Sequence, residues 1–259
     1  MKTSEAPSSG AQSLERALAL LKLVAGRNRD GVRLATLVEL SELQKPTAHR
    51  LLKQLVASEL LMQSADKSYH LGQFAYELGV ASTFRFPVRD ICAPFLERIA
   101  QETGDSAFLV VRSHSDSFCV DRKMGSYPIQ VFSVEIGHRQ PLGVGGGGLA
   151  LLSALPNEEI EKIVNANAER LSSYGNMTVD KLRQQIADTR ERGYAVISNH
   201  AIPGVTGVGR AIVDGSGTVV GAISVSSISQ RMEPQRQHRV QQILKHEISA
   251  LLVALARRK

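Results

Sequence analysis

The sequence predicts a multidomain α+β protein, with a small winged helix-turn-helix unit at the N-terminal end and a larger domain of helices packed on a sheet. Three observations carry this. Between Lys45 and Leu55 the residues Ala48, Leu51, Leu52 and Leu55 recur at i, i+3, i+4 and i+7, one apolar stripe at helical period. Lys45, Thr47, His49, Arg50, Lys53 and Gln54 are left for the outer faces, and no carboxylate falls between Lys45 and Ser58. Second, Leu60–Gln63 and Tyr69–Leu71 flank the polar turn Ser64-Ala65-Asp66-Lys67-Ser68 and read as a hairpin. Third, β-rich and amphipathic helical runs alternate irregularly from Val88 onward, the pattern of an antiparallel sheet with helices against it.

The composition fits this division. A chain of 259 residues suits two domains, one near 70 and one near 170 residues. With 43% hydrophobic and 22% charged residues it can bury a core and remain soluble. The net charge of +6 permits a polyanionic partner, although the cations gathered on one helix say more than the total. Cys92 and Cys119 form neither a C-x-x-C nor a cluster with histidine, so they are expected to be reduced core thiols, with no metal site. The polar start has no apolar leader and no run approaches the length of a membrane span, so the expected compartment is the cytoplasm, with no membrane partner.

In chain order, residues 1–12 are expected to be a disordered tail and 13–72 the winged helix-turn-helix. From Ser13, the positions Leu14, Ala17, Leu18, Leu21 and Val24 mark a first helix ended by Gly26. Leu34, Leu37 and Val38, with Ser41, pattern a short second helix. Glu42-Leu43-Gln44 makes the tight connection, and Pro46 suits the first turn of the third helix, where its missing N–H leaves no bond unmade. Over 73–87, Phe74, Leu78, Ala81 and Phe84 continue as a linker helix whose apolar positions a monomer would cover poorly, which points to a dimer contact. Within 88–259, Val88, Ile91, Phe95, Leu96 and Ile99 give a helix closed near Gly104. Ala107–Val111, Phe118–Asp121 and Ile129–Val134 read as strands. The glycine run Gly143–Gly148 leads into Leu149–Leu152, and helices follow near Asn157–Asn165 and Val179–Arg192. Tyr194–Ile197, Gly207–Val213 and Val219–Val225 restore the strand pattern before a last helix, Gln235–Ala256.

Leu14 to Leu23, then Lys45-Pro46-Thr47-Ala48-His49-Arg50-Leu51-Leu52, then Tyr69-His70-Leu71-Gly72 with Leu78-Gly79 closely resemble the N-terminal domain of the IclR family of bacterial transcriptional regulators. The resemblance covers nearly the whole chain after about Gln12. One departure is that Gln44-Lys45-Pro46-Thr47 stands where the family more often has a proline-lysine-serine-threonine sequence. The resemblance implies that 88–259 is a GAF-like or profilin-like effector-binding domain, that the linker helix dimerises, and that the effector is a small organic acid. It also implies that the chain is a transcriptional regulator, repressor or activator, and not an enzyme.

Read as a DNA-binding surface, the third helix places Lys45, Thr47, His49, Arg50 and Lys53 in or beside the major groove, with Arg50 suited to bidentate reading of guanine. Lys67 on the wing and Arg33 before the second helix are expected to hold phosphates. A homodimer, or a dimer of dimers, should match a palindromic operator in double-stranded DNA. The opposing reading of those residues is a solvated basic face. For the effector, the resemblance points to Val205, Gly207, Ser224 and Ser226, and to a wall at the glycine run through Val144, Gly145 and Gly148. Ile197 stands where some members carry an acidic residue, and Gly207 where some carry a larger polar one, which widens the pocket and makes it more apolar.

Gly143-Val144-Gly145-Gly146-Gly147-Gly148 formally satisfies G-x-G-x-x-G, but no acidic residue follows at a strand end about twenty positions on and no Gly-Lys-Ser/Thr is present. The glycines therefore expose helix N–H groups to an anion, or merely permit a tight turn against neighbouring backbone; the residues alone leave both open. An enzyme built on this loop is the alternative function. His138, His200 and His246 are scattered and read as surface or core residues, and no catalytic residue or cofactor is expected.

Overall fold

A computed structural model describes residues 9–84 and 87–256. The chain forms two compact units, Met1–Phe86 and Pro87–Lys259.

In the first unit, α1 (Ser9–Ala25), α2 (Leu34–Ser41) and α3 (Lys45–Ala57) enclose a core of Leu20, Val24, Leu37, Ala48, Leu51, Leu52, Leu55, Leu61 and Tyr69. The stripe expected on α3 is the buried one. Glu42, in the left-handed conformation at φ 55°, makes the sharp turn between α2 and α3, and Pro46 sits in the first turn of α3. β2 (Leu61–Gln63) and β3 (Ser68–Leu71) form the wing hairpin, with Gln63 opposite Tyr69. A short β1 (Val32–Arg33) adds a third strand, giving the order β1-β3-β2; two residues carry no period, so the sequence pattern did not show it. A Cβ at Gly72 would lie 2.1 Å from the Glu59 carbonyl oxygen, so only glycine lets the wing return past the exit of α3.

Two expectations change here. Residues 1–8 of the expected tail lie outside the described residues, whereas 9–12 are helical, because a helix already nucleated by the Leu-rich stretch extends at little cost. The buried side of α1 is Leu20 and Val24 with Ala17, Leu21 and Leu23 beside them, while Leu14 and Leu18 are exposed. Leucines at 14, 18, 20, 21 and 23 let the sequence be phased two ways, and the core selects one. α4 (Gln73–Ser82) buries none of its residues, and Phe74, Tyr76, Leu78 and Val80 stand exposed. The helix stops at Ser82, with Thr83 and Phe84 in a turn, short of the expected run to Pro87; residues 85–86 lie outside the described residues.

The second unit is a six-stranded antiparallel sheet in the order β6-β5-β4-β9-β8-β7, formed by β4 (Ser106–Ser113), β5 (Asp116–Lys123), β6 (Arg139–Pro141), β7 (Ala195–Ser198), β8 (Val205–Val213) and β9 (Val219–Ile228). Alternation sorts its two faces. Ala107, Leu109, Ile223 and Val225 pack with α5 (Val88–Thr103) and α9 (Pro234–Ala256) on one side. Phe108, Val110 and Ala222 pack with α6 (Gly145–Ser153), α7 (Asn157–Leu171) and α8 (Val179–Arg192) on the other. Buried Asp105 ties the first layer together, accepting from Ser227 Oγ at 2.8 Å, Arg231 Nε at 3.0 Å and Arg236 Nη2 at 2.8 Å.

Ile129–Val134 is not the expected strand. Gln130 bonds Ser106 Oγ and the Gly104 carbonyl, Phe132 lies outside under the Arg122 guanidinium at 4.5 Å, and Ser133 and Val134 turn into a cavity. The edge strand is instead Arg139–Pro141, paired with Asp116–Phe118. α7 runs on to Leu171 through a polar stretch because Asn167 is fully buried and donates to the Ser115 carbonyl at 2.7 Å.

Candidate functional site

On the first unit, Lys45, His49, Arg50 and Lys53 are exposed on α3, outside its buried stripe, and Thr47 is half-buried at the helix start. At 100° per residue, Arg50 and Lys53 lie nearest the centre of the outward face, with His49 and Gln54 flanking them. Lys67 is exposed at the wing tip in the left-handed conformation, φ 68°. Asp66 next to it accepts hydrogen bonds from the hydroxyls of Ser64 and Ser68 and from the Ser68 N–H, which hold its carboxyl down at about 2. Arg33, exposed on β1 opposite Ser68, adds a smaller electrostatic pull on that carboxylate. The wing therefore presents Lys67 from a turn braced by a permanently charged Asp66. The sequence did not show that Arg33 and Asp66 are neighbours, because β1 brings them together.

The second unit contains a cavity, and all eight residues named for the effector lie on its wall: Val144, Gly145, Gly148, Ile197, Val205, Gly207, Ser224 and Ser226. The wall is formed by the first turn of α6, by residues of all six strands, by Ser133 and Val134, and by the turn between β7 and β8. Val144 at the N-cap supplies no capping hydrogen bond, so the first-turn N–H groups of α6 have neither a side-chain cap nor an intrahelical acceptor. Such a terminus carries partial positive charge.

The close-approach reading of the glycine run holds, and it is compatible with the anion reading. A Cβ at Gly147 would lie 2.7 Å from Val110 Cγ2, and one at Gly146 would lie 3.1 Å from the Gly207 carbonyl carbon. The glycines let α6 lie directly on the sheet and bring its N-terminus against the cavity. Ser117 donates to the Gln140 carbonyl at 3.2 Å, Gln140 Nε2 donates to the Ser133 carbonyl at 3.2 Å, and the Ser133 and Ser226 hydroxyls meet at 3.4 Å. Burial pushes the Cys119 thiol up to about 12, so it meets the cavity as an apolar surface and not as a nucleophile. No Asp, Glu, Lys or Arg contributes to the described wall.

Sequence reasoning missed the rest of the wall: Phe108, Val110, Ser117, Cys119, Ser133, Val134 and Gln140 on the strand side, and His200, Ala201 and Ile202 in the β7–β8 turn. Phe108 and Val110 share the inward face of β4 with period two and could have been found that way. His200, expected to be a surface or core residue, lines the cavity instead. Among the described residues no group of three or more His, Cys, Asp or Glu is placed to hold a metal ion, and no helix is long and apolar enough to cross a membrane.

A winged helix-turn-helix with a cationic third helix, linked in one chain to an α+β domain with a cavity, defines a one-component regulator with a reading head and a sensor. Comparison with known proteins gives the family. Residues 13–65 match the IclR helix-turn-helix domain, and residues 80–251 match the domain described as bacterial transcriptional regulator IclR C-terminal. The chain belongs to the IclR family of bacterial transcriptional regulators and is not an enzyme. It is 28% identical to the HTH-type transcriptional repressor AllR of Salmonella paratyphi A over 229 residues, 88% of this chain and 84% of the relative. A solved IclR-type regulator from a Silicibacter species superposes with a TM-score of 0.80 at 20% identity, covering 93% of this chain and 94% of that one. An IclR homologue from Microbacterium hydrocarbonoxydans, solved in complex with 4-hydroxybenzoate, superposes with a TM-score of 0.75 at 22% identity, covering 94% and 99%.

Proposed function

We propose that this chain is a cytoplasmic transcriptional repressor that binds a palindromic operator in double-stranded DNA as a homodimer or a dimer of dimers. A small carboxylic acid in the cavity of the second unit releases or reinforces that binding. The observation that carries the reading is the outward face of α3, where Arg50 and Lys53 stand exposed on a helix with no carboxylate. Arg50 reads guanine, Lys45, Thr47, His49 and Lys53 enter or line the major groove, and Arg33 and Lys67 bind phosphates. The AllR relative is named a repressor, which supports that direction of control. The exposed apolar residues Leu14 and Leu18 on α1 and Phe74, Leu78 and Val80 on α4 suit a second copy of the chain.

The ligand's carboxylate is placed at the N-terminus of α6, where Gly145 and Gly148 bring backbone into the wall, with Val144, Ile197, Val205 and Gly207 around its body and the Ser224 and Ser226 hydroxyls as hydrogen-bond partners. The 4-hydroxybenzoate in the Microbacterium homologue is an acid of the proposed kind.

The test is binding to duplexes selected from a random pool, followed by fluorescence anisotropy across a salt series. A DNA reader gives a log–log salt slope of about −0.9 per phosphate contact. Arg50→Ala should cost about 1–3 kcal/mol on the selected duplex and blur its base preference, whereas Lys67→Ala should weaken all sequences alike. Equal small losses on selected and random DNA for both variants would refute these roles, and a flat salt response would refute DNA binding itself.

A further inference from the structure

Four buried polar side-chain atoms among the described residues lack a hydrogen-bond partner: Gln185 Oε1, Thr189 Oγ1, His200 Nδ1 and Arg236 Nε. Only His200 Nδ1 belongs to a residue on the wall of the cavity described above. Leaving such an atom buried and unpaired destabilises a fold, so a ring nitrogen kept in that state beside a cavity points to a partner that arrives with the ligand.

A loose turn would explain the missing bond equally well, but this turn is fixed. Asn199 takes the left-handed conformation at φ 61°, its N–H donates to the Val205 carbonyl at 2.9 Å, and its side-chain Oδ1 accepts from the Gly204 N–H at 2.8 Å. From outside, the turn is backed by Gly175, where a Cβ would lie 2.7 Å from the Asn199 carbonyl oxygen and 2.8 Å from His200 Cα. The backbone of His200 is therefore held from both ends and from behind. His200 therefore meets the cavity from a fixed backbone, as a prearranged contact residue does.

We propose that His200 is a contact residue for the ligand of this cavity, with Nδ1 partnering a polar group other than the ligand's carboxylate. The class of ligand is then a small carboxylic acid carrying a hydroxyl or keto group elsewhere on its frame. This rests on the reading of the cavity as the effector pocket. The carboxylate goes to the N-terminus of α6, and the second group goes to the β7–β8 turn. A hydroxyl can donate to or accept from Nδ1, and a keto oxygen can accept from it. The wall residues Ser117, Ser133, Ser226 and Gln140 already bond among themselves and to backbone, which leaves the imidazole beside the Ser224 hydroxyl as a group with capacity for a ligand.

The experiment is a thermal-shift comparison on the full chain with matched acids: benzoate against 3- and 4-hydroxybenzoate, and propionate against lactate. At least one hydroxylated acid should raise the melting temperature more than its parent. His200→Leu should abolish that difference, and should raise the melting temperature of the ligand-free protein by about 2–4 °C by removing the unpaired nitrogen. His200→Asn, whose amide atoms fall near the position of Nδ1, should restore the difference, whereas His200→Gln, which mimics the other ring nitrogen, should not. Should His200→Leu fail to fold, the Asn and Gln pair still decides. Parent and hydroxylated acids acting equally, or a difference that survives in His200→Leu or His200→Gln, would overturn the role of His200 and leave the effector pocket standing. No shift with any acid would overturn both.

Discussion

Replacing Gly209 with alanine is the sharpest probe of how the sensor is built. Gly209 lies in β8, and a Cβ there would lie 2.3 Å from the Gly146 carbonyl oxygen, 2.5 Å from its carbon and 3.0 Å from the Gly147 nitrogen. All three atoms are backbone, so no side chain can swing aside. Restoring ordinary contact needs a separation of roughly 1 Å, yet β8 is bonded on both edges to β7 and β9, and α6 is buried from Gly146 to Ser153. Overpacking of this kind costs about 1–3 kcal/mol, and the rigidity of both partners places Gly209→Ala at the upper end. For a unit of this size, about 2–3 kcal/mol lowers the melting temperature by roughly 4–12 °C. The displaced element is the first turn of α6, so ligand-induced stabilisation should fall with it. Gly215→Ala is the control: a Cβ there meets nothing within 4 Å, and the change should stay within about 0.5 kcal/mol of neutral. Scanning calorimetry of both variants with and without the acids above reads the outcome. A Gly209→Ala protein melting within a degree of wild type, with its ligand response intact, would show that α6 does not rest on β8 through backbone.

Three other outcomes are expected. Leu52→Ala, at a fully buried position of α3, should destabilise the first unit by about 2–5 kcal/mol in urea unfolding and weaken operator binding without altering base preference, since Leu52 faces away from the outward surface. Asp105→Ala should cost about 3 kcal/mol by chemical denaturation; this is the low end for a broken buried pair because Arg231 and Arg236 keep about a quarter of their side-chain surface in water. Asp66 is held at about 2 by its serine partners, so its contribution to the wing is present above the unfolded carboxylate value near 3.8 and is lost as pH falls from there through about 2. Carbon-detected NMR of its carboxyl should show no titration at pH 4, and a midpoint near 4 would remove the serine brace from the account.

The reading head was largely legible because its signals are local. The stripe on α3, Pro46 in its first turn and the hairpin residues each act within a few positions, and each survives in the structure. The failures also have local causes. In α1 the leucines at 14 and 18 compete with Leu20 for the inward side, and periodicity cannot choose between faces of similar apolarity. Ile129–Val134 has strand composition, but its residues serve four surroundings in turn: Gln130 on β4, Val131 in the interior, Phe132 under Arg122 and Val134 at the cavity. A run whose alternate residues face different environments gains nothing from a second ladder, and Arg139–Pro141 takes the edge instead.

The sensor shows the converse. The eight residues assigned by family resemblance converge on one cavity, whereas residue chemistry alone left the glycine run undecided between an anion site and a tight turn. The geometry removes that opposition, because Gly146 and Gly147 must lack side chains for α6 to seat on the sheet, and the seating is what delivers bare N–H groups to the cavity. His200 escaped notice for the same reason. Its significance lies in the fixed turn from Asn199 to Gly204 and in the strands across from it, neither of which a lone histidine between Asn199 and Ala201 reveals. Positions whose role depends on what approaches from elsewhere in the chain are where sequence reasoning runs out, and in this protein they are the positions that should decide which ligand the cavity accepts.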